Sequence, residues 1–128
     1  MSALAGRRIL VVEDSPVVAP FTVNVLEDLG CIAVGPAPNM ATARELIDAG
    51  NFDAAIMDVH IRGERVFGLC ELLERRGIPF LLTSGYADWQ LPADLLERPQ
   101  LQKPYTFDQL RDALQLTLSP ARPEAIAS

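Results

Sequence analysis

Ile9-Leu10-Val11-Val12-Glu13-Asp14-Ser15-Pro16 is the stretch on which the fold turns. Its four consecutive apolar residues are too few for a helix and lack the alternation of a strand with one wet face. Such a run predicts a strand covered on both sides, as at the centre of a parallel sheet. Glu13 and Asp14 then put two acids at the carboxyl end of that strand. Ser15-Pro16 predicts a helix start, with a capping hydroxyl and proline at the first helical position. Strand, acidic turn and helix make the first half of a βα unit.

The same alternation continues down the chain. Val18, Phe21, Val25 and Leu29 recur at helical spacing until Gly30, with Pro20 distorting an early turn. Ile32 to Gly35 reads as a second strand. Asn39 caps a helix that runs to Ala49, turns Ala43, Leu46 and Ile47 inward, and stops at Gly50. Ala54 to Met57 is a third strand, closing on Asp58. The segment from Arg65 to Arg76 carries Val66, Leu69, Leu72 and Leu73 on one face. Phe80 to Thr83 is a fourth strand with Pro79 at its start. The stretch from Gly85 to Gln100 is irregular, because Pro92 and Pro99 leave only a short or broken fourth helix between them. A short strand around Leu101-Gln102 follows. Thr106 and Gln109 then stand at capping-box spacing ahead of Phe107, Leu110, Leu114 and Leu118.

Strands alternating with helices predict parallel pairing and right-handed crossovers. The expected fold is a three-layer α/β sandwich, a five-stranded parallel sheet of order 2-1-3-4-5 of the flavodoxin-like type. The 128 residues suffice for one domain, expected over residues 1–118, with a flexible tail over 119–128. A net charge of −6 argues against nucleic-acid binding, which needs a basic face. The chain contains neither an apolar run of membrane-spanning length nor a signal-peptide pattern. Cys31 and Cys70 lack metal-ligand spacing and read as reduced packing thiols of a cytoplasmic protein.

Functional groups of open parallel sheets gather at the carboxyl ends of the strands. Those ends carry Glu13 and Asp14, Asp58, Ser84, and Lys103, which is the one lysine beside ten arginines. Three acids packed together repel unless a cation joins them, and Mg2+ suits an all-oxygen set. A hydroxyl and an ammonium beside an aspartate are the groups a phosphoryl on that aspartate would need.

With Val11-Val12-Glu13-Asp14, Met57-Asp58-Val59, Thr83-Ser84-Gly85-Tyr86 and Lys103-Pro104-Tyr105 standing in this order, the chain resembles a response-regulator receiver domain of two-component signalling. Gly63-Glu64 and the run from Pro79 to Tyr86 resemble an alphaproteobacterial subgroup of stand-alone receivers with a Phe-Ala-Thr-Gly-Tyr-type fourth strand. The resemblance implies Asp58 as phosphoacceptor, and Glu13, Asp14, Asp58 and the His60 backbone carbonyl as Mg2+ ligands. It implies Ser84 and Lys103 as the phosphoryl-binding switch pair; His60, Thr83 and Tyr86 are candidate modulators. The implied partners are a sensor histidine kinase or histidine phosphotransfer protein and a downstream target, the chain being a monomer or weak homodimer without an output domain.

Two departures from the family pattern stand out. Lys103 follows Ser84 by only 19 positions, and Gln100 occupies the place of an aromatic three residues before the lysine. Tyr86 is a candidate substitute for it, and Trp89 with Tyr86 a candidate partner patch. A small Mg2+-dependent phosphohydrolase with Asp58 as nucleophile is the competing class. Against it, His60 stands where such enzymes place a second aspartate. A phosphate sink or a degenerate interaction module is the third alternative.

Overall fold

A computed structural model describes residues 4–85 and 99–119. Among the described residues, seven strands and four helices run in the order β1 (Arg8–Val12), α1 (Val18–Asp28), β2 (Ile32–Ala37), α2 (Met40–Ala49), β3 (Ala54–Asp58), β4 (His60–Ile61), β5 (Glu64–Arg65), α3 (Phe67–Arg75), β6 (Phe80–Ser84), β7 (Gln100–Gln102) and α4 (Phe107–Thr117). Five of the strands form one parallel sheet of order β2-β1-β3-β6-β7. Counting main-sheet strands alone, this is the expected 2-1-3-4-5 order of a flavodoxin-like sandwich.

Side-chain alternation along the central strands builds two cores. Leu10, Val12, Ala55, Met57 and Leu82 face α2 and α3, where Ile47, Leu69 and Leu73 meet them. Ile9, Val11, Ile56, Leu81 and Leu101 face α1 and α4, packing on Leu26, Leu110 and Leu114. All five residues of β3 are buried, which is why its sequence is apolar on both faces until Asp58. Cys31 and Cys70 are buried thiols, one in each core.

The caps follow the sequence closely. Asn39 accepts from the Thr42 amide, Gly50 closes α2 at φ 68°, and Thr106 and Gln109 form both hydrogen bonds of a capping box. Ser15 Oγ accepts from the amides of Val17 and Val18 at 3.2 and 3.1 Å, although regular helix begins only at Val18.

Three expectations need correction. The inward face of α1 is Ala19, Thr22, Val25 and Leu26, whereas Phe21 is 39% exposed. Strand β2 continues past Gly35 to Ala37, with a register shift against β1 between Leu10 and Val12. Gly35 permits this irregularity: it sits at φ +97°, where a Cβ would come within 2.8 Å of the Ala37 nitrogen. The third helix starts at Phe67 rather than Arg65, since residues 60–65 form the antiparallel hairpin β4–β5. Its two-residue loop, Arg62-Gly63, has both φ angles positive, 53° and 82°, the requirement of a type I′ turn. The expected broken fourth helix, Tyr86, Trp89 and the tail beyond Ser119 lie outside the described residues.

Candidate functional site

By alternation, the α1/α4 face of the sheet ends in Glu13 beyond β1, Asp58 on β3, Thr83 on β6 and Lys103 beyond β7. Ligand atoms of Glu13, Asp14 and Asp58 all lie within 4.8 Å of one another. Glu13 and Asp58 are each 4% exposed, and Asp14 stands more open at the mouth.

Lys103 is the internal counter-ion of the buried pair. Its Nζ donates to Asp58 Oδ2 at 2.6 Å and lies 3.4 and 3.3 Å from Glu13 Oε1 and Oε2. Burial disfavours the ammonium, yet the hydrogen bond and charge of Asp58, with the charge of Glu13, outweigh it and hold Lys103 above the ordinary lysine range. Burial pushes Glu13 up to about 7, helped by the Asp58 charge and opposed by Lys103 and the Ser15 amide. One ammonium between two buried carboxylates leaves one of them short of positive charge.

Backbone amides supply further fixing contacts. Ser15 N–H donates to Glu13 Oε2 at 3.1 Å, and His60 N–H to Asp58 Oδ1 at 3.2 Å. Arg62 N–H donates to Asp14 Oδ2 at 2.9 Å, while its Nε donates to the Pro38 carbonyl at 3.2 Å. Arg62 thus clamps the acidic turn from the tip of the β4–β5 hairpin. The sequence reading missed it; the signal was Arg62-Gly63 as a two-residue loop between strand-like dipeptides.

Ser84 joins the site through its backbone, its carbonyl accepting from Lys103 N–H at 2.8 Å. Among the described residues its hydroxyl makes no hydrogen bond to Asp58 or Lys103. A second element missed in the sequence lies below the acids. Tyr105, 7% exposed, meets Thr22 Oγ1 of α1 at 2.7 Å, and Thr22 Oγ1 donates to the Val18 carbonyl at 2.9 Å. Tyr105 must therefore be the donor of the shared bond, and burial raises its phenol above the ordinary range.

A hard-oxygen cluster at a strand-end switch point, with one ammonium reaching across it, could hold a divalent cation beside an anionic group. The response regulator receiver domain family matches residues 9–115, and the chain belongs to it. The solution structure of SdrG from Sphingomonas melonis Fr1 is 39% identical and superposes with a TM-score of 0.82, covering 92% of this chain and 99% of that one. The beryllofluoride-activated conformation of SdrG, from Pseudomonas melonis Fr1, matches over the same shares at 39% identity and a TM-score of 0.77. The transcriptional regulatory protein PdtaR of Mycobacterium tuberculosis is 27% identical over 125 residues, 91% of this chain. The chain spans 59% of the length of that relative.

Receiver domains are signalling modules rather than enzymes in general; they work with histidine kinases or phosphotransfer proteins and bind Mg2+ at an acidic pocket. The residues here fit such an ion, because three carboxylates converge and Glu13 is driven toward protonation for want of positive charge. Among the described residues no helix is long and apolar enough to cross a membrane.

Proposed function

We propose that this chain is a cytoplasmic phosphoacceptor response regulator, phosphorylated on Asp58 in a Mg2+-dependent reaction and signalling through protein contacts. The observation that carries this reading is the direct Lys103–Asp58 contact of 2.6 Å beside the three-carboxylate cluster. In the reaction an Asp58 oxygen attacks the phosphorus of a phosphohistidine on a kinase or phosphotransfer protein. The new O–P bond forms as the N–P bond breaks, and the imidazole nitrogen departs with the electron pair. Glu13, Asp14, Asp58 and the His60 carbonyl would hold Mg2+, whose chemistry there would be to supply positive charge beside the phosphoryl oxygens.

Lys103 is placed to follow the new charge, because its partner Asp58 is the group that changes. Phosphorylation replaces a carboxylate of charge −1 with an acyl phosphate carrying about −1.5 to −2, all of it on the phosphoryl oxygens, so the ammonium moves from the carboxylate to a phosphoryl oxygen. Ser84, bonded through its carbonyl to the Lys103 amide, is carried with it and donates its hydroxyl to another oxygen. His60, half-buried beside Asp58, is placed to modulate hydrolysis of the acyl phosphate.

Beryllofluoride with Mg2+ tests the reading, and the beryllofluoride-activated SdrG structure supports the choice of probe. Amide NMR shifts at Ser84 and Lys103 are expected in the wild type and absent in Asp58→Ala. No shift in the wild type would sink the phosphoacceptor assignment. Repeated turnover of a small phosphoester, lost in Asp58→Ala, would favour a hydrolase instead.

A further inference from the structure

We propose that Thr83 is a positioning residue for phosphorylated Asp58, its hydroxyl gaining a hydrogen-bond acceptor only when the phosphoryl group arrives. The inference rests on Asp58 being the phosphoacceptor and adds a second hydroxyl to the site, distinct from Ser84.

Thr83 and Asp58 are register partners on adjacent parallel strands. Their side chains therefore stand side by side on one face, with the strands about 4.8 Å apart. Thr83 is 1% exposed, and its Oγ1 is a buried side-chain polar atom with no hydrogen-bond partner among the described residues. Burying a hydroxyl unpaired lowers stability, and valine fills the same shape without that cost. The neighbouring positions on this strand, Leu81 and Leu82, are apolar. A threonine here thus weakens the unphosphorylated fold for no structural gain.

The Thr83 hydroxyl bonds to neither oxygen of Asp58. Asp58 Oδ2 is held by Lys103 and Oδ1 by the His60 amide. Lys103 starts beyond β7 and must cross β6, the strand that carries Thr83, to reach Asp58 on β3 and Glu13 beyond β1. When the ammonium shifts onto a phosphoryl oxygen, it vacates the space above Thr83 and releases an Asp58 oxygen. The Thr83 hydroxyl then donates to an oxygen of the aspartyl phosphate. It contributes to the phosphorylated state and costs the unphosphorylated one, which is the differential contact a switch needs.

Thr83→Val and Thr83→Ser in the full chain separate this role from packing. Beryllofluoride titrations with Mg2+, read by NMR, should show Thr83→Val binding about tenfold more weakly than wild type, the fold-change of one hydrogen bond to a charged group. Thr83→Ser should restore most of the affinity. Urea denaturation without Mg2+ should find Thr83→Val at least as stable as wild type. Unchanged beryllofluoride affinity in Thr83→Val overturns the proposal. So does a loss of unliganded stability in that variant, which would assign the hydroxyl a structural partner. If the wild type itself fails to bind, the phosphoacceptor reading fails first and the Thr83 role falls with it.

Discussion

Replacing Lys103 with methionine keeps the length of the side chain and removes the only ammonium from a pair of buried carboxylates. Ligand atoms of Glu13 and Asp58 lie no more than 4.8 Å apart. Fully ionised, the two would repel by at least about 3 kcal/mol at an effective dielectric of about 20, and protonation of Glu13 relieves part of that near neutral pH. The two acidic side chains are 3% and 5% exposed, so water cannot replace the lost partner. Removing one member of such a buried pair costs about 3–5 kcal/mol, in agreement with the Coulomb figure. Urea denaturation of Lys103→Met in EDTA near neutral pH should show that loss. Added Mg2+ should recover a large part of it, since the ion supplies positive charge to the same oxygens. The loss should also shrink toward about pH 5, because without the ammonium the folded acids bind protons more tightly than the unfolded chain does. A penalty below about 1 kcal/mol in EDTA would refute the counter-ion role assigned to Lys103.

Two further measurements probe the surroundings. Glu13 titrates at about 7 against an ordinary 4.5. An acid raised in the folded state contributes most below its unfolded pKa and loses that contribution as pH rises through the folded value. The stability of metal-free wild type relative to Glu13→Gln should therefore fall by about 3 kcal/mol from pH 4.5 to above 7, and a rise over that range would contradict the assignment. Tyr105→Phe leaves Thr22 still bonded to the Val18 carbonyl, so its cost should be about 1 kcal/mol. Thr22→Val strands the buried phenol and should cost about 1–3 kcal/mol, and the reverse order in denaturant melts would show that the donor is misassigned.

Much of the fold was legible because local chemistry and global packing demand the same residues. Strand β3 is apolar on both faces since helices cover both, so its type and its end at Asp58 were readable. Asn39 and Thr106 make cap bonds that depend on residues three positions away. The hairpin β4–β5 escaped notice because two-residue strands carry no periodicity, and Glu64-Arg65 reads equally well as the start of a helix. Phe21 was misplaced on α1 because the true inward face runs through the polar Thr22, which pattern reading counts as exposed.

By itself the amino-acid sequence determined the alternation of strands and helices and the identity of the acids, the lysine and the hydroxyls near the strand ends. Those follow from runs and turns a few residues long. Contacts between side chains far apart in the chain were decided only by the tertiary structure. The 2.6 Å Lys103–Asp58 bond spans 45 residues, the Tyr105–Thr22 bond 83, and the Arg62 clamp on Asp14 spans 48. The same holds for Thr83, whose buried hydroxyl looks from the sequence like an ordinary strand residue. Hydrogen-bond partners and desolvation depend on what the fold packs around a group, and no local pattern encodes that.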